Sequence, residues 1–253
     1  MRNLKRTLSL ALASVMLVGM MSVGASAVNA SDFTDADEIV NKDAVSTMTA
    51  LGIINGKEDG SYFDPTGNVT RAEMAKMLCV AINGGVDPVL GVKDTPTFTD
   101  IKGHWAESYI EYCAANGIIA GRGNNKFDPT GTVSATEAAK MLLGVLGYNA
   151  EKSGLVGNDW AINTNVLANQ NGLYKNLANL NANTLLTRDN AAQMIYNALD
   201  ANMVELNAAG NYTTSQYSYT GTESVVTGTE RVWVVKIKDS SVNDAVKIGR
   251  AHV

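Results

Sequence analysis

Phe63-Asp64-Pro65-Thr66-Gly67 returns unchanged as Phe127-Asp128-Pro129-Thr130-Gly131, 64 residues later. Its two copies together hold two of the chain's four prolines, and its surroundings recur with it. Phe33-Thr34-Asp35 comes back as Phe98-Thr99-Asp100, and Leu51-Gly52-Ile53-Ile54-Asn55-Gly56 as Asn116-Gly117-Ile118-Ile119-Ala120-Gly121, both at an offset of 65. One loop residue has been lost between these blocks and the proline turn. A worn third copy follows. Trp160-Ala161 lies 55 residues after Trp105-Ala106, and Gly172 lies 55 after Gly117. Thr187-Arg188-Asp189-Asn190 then stands where the earlier copies have Thr70-Arg71-Ala72-Glu73 and Ser134-Ala135-Thr136-Glu137, but the Phe-Asp-Pro turn is missing. The three copies are expected over 33–84, 98–149 and, degenerate, 158–205. An internal repeat of this length confines the fold to units that pack on one another.

Each copy reads as helix, loop, helix. The first helix of copy two is expected from about Trp105 to Ala115, with Trp105, Tyr109, Ile110, Cys113 and Ala114 on one face. Gly117 follows where a left-handed C-terminal cap belongs. In Phe-Asp-Pro-Thr-Gly, proline fixes φ and glycine tolerates the geometry after it, which makes a turn. The second helices start at Thr70, Ser134 and Thr187. Their apolar faces are Met74-Met77-Leu78-Ala81, Ala138-Met141-Leu142-Val145 and Ala191-Met194-Ile195-Ala198. Two helices cannot bury such faces alone, so the copies should bury them together.

The flanks differ in kind. Residues 1–27 carry Arg2, Lys5 and Arg6, an apolar run from Leu8 to about Val23, and Ala25-Ser26-Ala27, the order of a secretory signal peptide. The run is short for a membrane span and no basic stop-transfer cluster follows it, so no membrane association is expected once the signal is removed. The signal takes three of the 20 basic residues and none of the 25 acidic ones, leaving the rest at −8. That balance argues against nucleic acid, and an anionic ligand would need a local cationic site. From about Tyr212 the composition turns to Asn, Thr, Ser and Tyr, and Arg231–Lys238 is strand-like. Residues 211–247 are read as the start of a β-rich domain, incomplete here. Ile248–Val253 has the look of translated sequencing-adapter read-through, so the natural chain is expected to run on. Cys79 and Cys113 are too few for a disulfide scaffold and read as buried thiols; the sequence leaves open whether they pair.

The chemistry gathers at helix starts. Thr70-x-x-Glu73 and Ser134-x-x-Glu137 are capping boxes, in which hydroxyl and glutamate satisfy each other's backbone N–H. Arg71 occupies the first helical position, where the macrodipole mildly disfavours a cation. Beside free helix N–H groups it makes best sense as a carboxylate ligand.

In their order, Phe-x-Asp, His104-Trp105-Ala106, Gly-Ile-Ile, Phe-Asp-Pro and Thr-Arg-Ala-Glu resemble the S-layer homology family, over about residues 33–205. The resemblance implies a mainly α fold, with three helix-loop-helix repeats in a pseudo-threefold, three-pronged spindle. It also implies grooves that bind secondary cell-wall polymers, often ones bearing pyruvate ketals. Carried over, the ligand-binding residues are Arg71 and Arg188, Asp35 and Asp100, Trp105 and Trp160. Three departures stand out: Ala135 replaces the arginine in copy two, Val40 stands at the tryptophan place of copy one, and Asn190 replaces the glutamate of copy three. At most two grooves therefore keep a guanidinium.

Other chemistries lack material. Asp35-x-Asp37-x-x-x-Asn41 fails as a calcium loop, because Val40 stands where glycine is required and Ser46 where glutamate belongs. Two histidines, His104 and His252, leave almost nothing for a metal site or a catalytic triad. Asp37 with Glu38, and Glu107 with Glu111, read as solvated helix faces rather than a hydrolytic pair. The expectation is therefore a secreted, non-enzymatic protein of the cell surface, without cofactor or metal. It would anchor itself non-covalently to an anionic wall polysaccharide, with other S-layer subunits as further partners. The alternative is an exported enzyme, such as a polysaccharide hydrolase, whose catalytic domain lies beyond residue 253 and for which these repeats are the anchor.

Overall fold

Three hydroxyl residues, Thr70, Ser134 and Thr187, hold the same extended backbone, φ near −80° and ψ near 160°, and each starts a helix. The computed structural model describes residues 28–177, 180 and 183–213, and the backbone of 214, 219–227, 230–237 and 246–251; the expected signal, 1–27, lies outside these. Each hydroxyl accepts a hydrogen bond at 3.2 Å from the backbone N–H three residues on, in Glu73, Glu137 and Asn190. Glu73 and Glu137 reach back to the cap's own N–H, completing the box. Asn190 makes no such return, so copy three keeps only half of the device.

The helices are α1 (Lys42–Ala50), α2 (Arg71–Ile82), α3 (Glu107–Ala115), α4 (Ala135–Val145), α5 (Trp160–Gln170) and α6 (Arg188–Asp200). The first helix of each copy ends before a glycine at φ near +70°, namely Gly52, Gly117 and Gly172, a conformation that penalises any residue with a Cβ. The second helix of one copy packs on the first helix of the next: α2 on α3, α4 on α5, and α6 back on α1. These pairs are three prongs of a spindle, closed head to tail. The expected apolar faces turn inward, with Met74, Leu78, Leu142, Ala191 and Met194 essentially buried.

The prongs meet in a ring of backbone hydrogen bonds. Val69 N–H donates to Leu186 C=O at 2.9 Å, Leu186 N–H to Val133 C=O at 2.8 Å, and Val133 N–H to Val69 C=O at 3.0 Å. All three side chains are fully buried. Each N–H is used once and each carbonyl once, so the pseudo-threefold axis passes through a closed cycle. The mainly α, three-pronged fold is thus as the resemblance implied.

Two expectations are corrected. The first helix of copy two begins at Glu107, not Trp105: His104 Nδ1 accepts from Ala106 N–H at 3.1 Å and holds a turn there. Trp105 lies in that turn and is 56% exposed, so it is not part of the buried face. Glu107 and Glu111 are buried, not solvated. Glu107 accepts from Gly103 N–H, and Glu111 takes Thr97 N–H and hydroxyl together with Lys93.

Beyond α6, β1 (Val204–Leu206) and β2 (Tyr212–Thr214) pair antiparallel. The hairpin is tied to copy two through Tyr212, whose hydroxyl meets Asn149 N–H and Ser153 Oγ. The strands β3 (Tyr219–Thr227), β4 (Glu230–Ile237) and β5 (Val246–Ala251) form an antiparallel sheet in that order. Among the described residues no helix is long and apolar enough to cross a membrane.

Leu186 belongs to the most divergent copy yet lies on the shared axis. Leu186→Ala should destabilise by about 2–5 kcal/mol. It should lower one cooperative melt of the helical domain by about 5–15 °C. A calorimetric trace in which copies one and two melt unchanged would contradict the closed ring.

Candidate functional site

The repeated Phe-Asp-Pro turn is held from two sides. Within its own copy, Asp35 accepts from the N–H groups of Phe63 and Asp64 at 2.9 and 2.7 Å. Asp100 does the same for Phe127 and Asp128, both at 2.8 Å. The turn aspartates take φ of 61° and 62°. Their carboxylates fold over Gly67 and Gly131, where a Cβ would lie 2.1 Å from the nearest oxygen. Glycine is needed there for space.

From the neighbouring copy comes an arginine. Arg71 of copy one inserts into copy two, its Nε donating to Phe127 C=O and its Nη2 to Ala120 C=O, both at 2.7 Å. Arg188 of copy three inserts into copy one in the same way, on Phe63 C=O and Asn55 C=O at 2.8 Å. Each guanidinium lies against the phenylalanine it bonds, 4.3 Å from the Phe127 ring and 5.0 Å from the Phe63 ring. Arg71 and Arg188 are 3% and 5% exposed. Burial pushes the pKa of Arg71 down to about 10, with Glu137 opposing, so it stays charged at neutral pH.

The helix starts are not open to anions, contrary to expectation. In α2, Arg71 N–H donates to Gly131 C=O, Ala72 N–H to Pro129 C=O, and Glu73 N–H to the Thr70 hydroxyl. In α6, the N–H groups of Arg188, Asp189 and Asn190 are taken by Gly67, Pro65 and Thr187. The next copy's turn supplies the acceptors that a ligand would otherwise supply. Arg71, Arg188, Asp35 and Asp100 are thereby joined into inter-copy clasps.

What faces solvent is a set of cations around each clasp. At the foot of α4 and α5, Arg122 contacts Glu137 at 2.8 Å and Asp128 at 3.5 Å, while Nη1 of Arg71 lies 3.6 Å from the same Glu137. Lys140, one turn along α4, stands over the Trp160 ring at 5.2 Å. Burial, with Arg71 adding repulsion, holds its pKa below the usual lysine range. The foot of α2 and α3 repeats the arrangement. Lys57 pairs with Asp64 at 2.5 Å, and Lys76 lies over the Tyr109 ring at 5.5 Å. Tyr109 in turn stacks near Trp105, centroids 6.4 Å apart. Lys57, Lys76, Arg122 and Lys140 escaped the reading of the sequence, although each pair recurs at the repeat offset: Lys57 with Arg122 by 65, Lys76 with Lys140 by 64.

The third foot, between α6 and α1, is different. Gln193 replaces the lysine, Ala135 the inserted arginine and Val40 the tryptophan. Its hollow of about 270 Å³ is lined by Glu38, Val40, Asn41, Pro65, Thr66, Asn176, Thr187, Asp189 and Asn190, two carboxylates and no cation. Asp189 is used internally, accepting from the backbone and side-chain N–H groups of Asn41. Among the described residues no three His, Cys, Asp or Glu side chains gather to hold a metal.

The family model of the S-layer homology domain matches residues 32–75 and 97–139. A cell surface protein of Thermoanaerobacter kivui is 28% identical over 207 residues, 81% of this chain and 26% of that protein. An S-layer protein of Bacillus licheniformis is 32% identical over 44% of the chain and 12% of its own length. The exoglucanase XynX of Acetivibrio thermocellus is 29% identical over 58% of the chain and 14% of its own length. The chain thus spans about a quarter or less of the length of these relatives.

Arg71→Ala would strand two carbonyls and remove charged hydrogen bonds of about 1.5–3 kcal/mol each. It should cost clearly more stability in a denaturant melt than the cap variant Thr70→Ala, worth about 1 kcal/mol. Ala135→Arg should also destabilise, because Ala135 is 1% exposed and copy three carries no Phe-Asp-Pro turn to receive the guanidinium. A wild-type melt for either variant would overturn the clasp.

Asp100 carries a pH signature. Burial pushes its pKa up, but the N–H donors of Phe127 and Asp128, helped by Lys126, outweigh that and hold it below the ordinary value. A depressed carboxylate pKa stabilises the fold above the unfolded pKa, about 4, and the contribution fades as pH falls through the lower folded value. Asp100→Asn should therefore melt lower than wild type at pH 7 by about 1–3 kcal/mol. The difference should shrink as pH falls below the unfolded value and through the lower folded one, and a gap constant with pH would contradict it.

Proposed function

We propose that this chain, an S-layer homology domain protein of the secreted, cell-surface kind, holds the wall through the feet of its first two prongs, gripping an anionic wall polysaccharide. S-layer homology domains are anchoring modules, not catalysts, and they tie surface proteins to the cell wall. The reading rests on one observation: cations paired with an aromatic ring recur at two feet and are replaced together at the third. Lys57, Lys76, Arg122 and Lys140 would meet the ligand's carboxylates, with Trp105 and Trp160 lying against its sugar faces. Arg71 and Arg188 lend positive charge from beneath, and Asp35 and Asp100 keep the turn in shape. Nη1 of Arg71, 3.6 Å from Glu137, is the guanidinium nitrogen a ligand carboxylate would take over. Pyruvate ketals on the polymer would supply such carboxylates.

The charge balance supports a local site. A chain at −8 outside its signal repels an anion at long range, but fields beyond about 8 Å are screened at physiological salt. Binding should therefore weaken as salt rises, and it should depend on the feet alone. A relative named as an S-layer protein and one named as an exoglucanase are similar to this chain over 44% and 58% of its length. An anchor would serve either, and contacts with further surface-layer subunits would add to it.

The test is sedimentation with purified cell-wall sacculi. The chain should pellet with sacculi that keep their polysaccharide and stay in solution with acid-stripped ones; equal binding to both would refute the anionic ligand. Arg122→Ala and Lys57→Ala should each weaken binding by roughly 10- to 150-fold per lost charged hydrogen bond. Their melts should hardly move, because half-exposed ion pairs contribute only about 0–1 kcal/mol.

A further inference from the structure

Cys79 lies on α2 and Cys113 on α3, the two helices of prong one. Both side chains are buried, at 1% and 0% exposure, and their sulfurs touch at 3.3 Å. Each thiol also faces the partner helix: Cys79 Sγ lies 3.5 Å from Tyr109 C=O, and Cys113 Sγ 3.6 Å from Ala75 C=O. Two thiols aimed at each other across a helix interface need only about 1.3 Å of closure to reach a bonded sulfur separation, within the reach of small side-chain rotations. The equivalent places confirm that a thiol is not required by packing: the sites 64 residues after Cys79 and 55 after Cys113 are Leu143 and Ala168, both fully buried apolar residues. An apolar pair serves prong two, while prong one has a cysteine on each side of its seam.

We infer that Cys79 and Cys113 are oxidised to an intrachain disulfide as the exported chain folds, closing prong one covalently. The oxidant is a disulfide, either of a protein or of a small thiol compound, outside the cytoplasm. One cysteine thiolate attacks it, releasing one thiol and leaving a mixed disulfide. The second cysteine attacks that bond, releasing the second thiol, so two thiols of this chain become one disulfide and one external disulfide becomes two thiols. The exchange must precede the final docking of α2 on α3. In the closed prong the hydrogen bond between the sulfurs, with burial, raises the pKa of Cys113 and suppresses the thiolate. The finished bond is shielded from reductants for the same reason. It closes a loop spanning a 34-residue separation, and it ties the helix that begins at Arg71 to the one that follows Trp105.

The experiment takes the full chain exported by a bacterial host and purified without reductant. It is unfolded in guanidinium with iodoacetamide and cut with trypsin. Peptides 77–93 and 103–122 should run as one species, two hydrogens lighter than their sum, with neither cysteine alkylated. Alkylation of both cysteines, or a link between two chains, overturns the inference. Melting supplies an independent reading. Reductant present throughout the melt should lower the wild-type Tm by about 5–15 °C. A Cys79→Ala, Cys113→Ala double variant should melt at one temperature with and without reductant. A wild-type melt indifferent to reductant counts against the bond.

Discussion

Everything in the helical domain hangs on the cycle of three backbone hydrogen bonds linking Val69, Leu186 and Val133. A two-helix unit exposes an apolar face that it cannot cover, and stacking in a line would leave two ends bare. Closing the cycle removes both ends. Among the described residues the first α-helix, α1, then meets the last, α6, and each second helix finds a first helix to lie on. The turn and helix start that flank each ring residue are positioned by it. The clasps made by Arg71 and Arg188 are consequences of the same closure, because an arginine at the start of one copy's helix is carried straight into the next copy's turn.

Seen in the ring, two departures in sequence become one. Ala135 and the missing Phe-Asp-Pro turn of copy three look unrelated along the chain. In space, the residue at position 135 points from copy two toward copy three, and Ala135 N–H donates to Thr184 C=O there. An arginine at that place would bury a cation where copy three has no Phe-Asp-Pro turn to receive it, a cost of several kcal/mol. Lock and key have been lost together. The backbone bond and the ring survive, which accounts for a third copy that is hard to see in sequence yet completes the fold.

How much of this was legible beforehand depended on range. Capping boxes, glycine stops and apolar faces are settled within a few residues, so Thr70, Ser134, Thr187 and Gly117 could be read directly. The first helical position of Arg71 is local, but its surroundings come from Ala120 and Phe127, about fifty residues away, so the clasp that buries most of the guanidinium is out of reach of a local reading. Trp105 fits the helix by its spacing; a histidine three residues before Glu107 makes a local turn instead. Glu107 and Glu111 resembled solvated faces, since nothing in their spacing reveals that the loop before them folds back over the helix. The retained cations at Lys57, Arg122, Lys76 and Lys140 were the readable signal that was missed. Charge kept at a repeat offset, on surfaces where packing does not demand it, points to something outside the chain.

On the anchoring reading, the loss of the third foot matters less than its share of the symmetry suggests. A wall polymer is itself a repeat, so a chain with two feet on one rigid body can hold it twice. Once the first foot is engaged, the second binds from a local concentration fixed by the spindle's own dimensions, and the combined hold can exceed either alone by about 10²- to 10⁴-fold. A third foot would add to that only if it could engage the same strand without strain. The closed ring fixes the relative directions of the prongs, and the residues that keep it closed are apolar or buried. Foot three could therefore trade its lysine for Gln193 and keep Asp189 bonded to Asn41, so that it braces α6 against α1 while the other two carry the ligand.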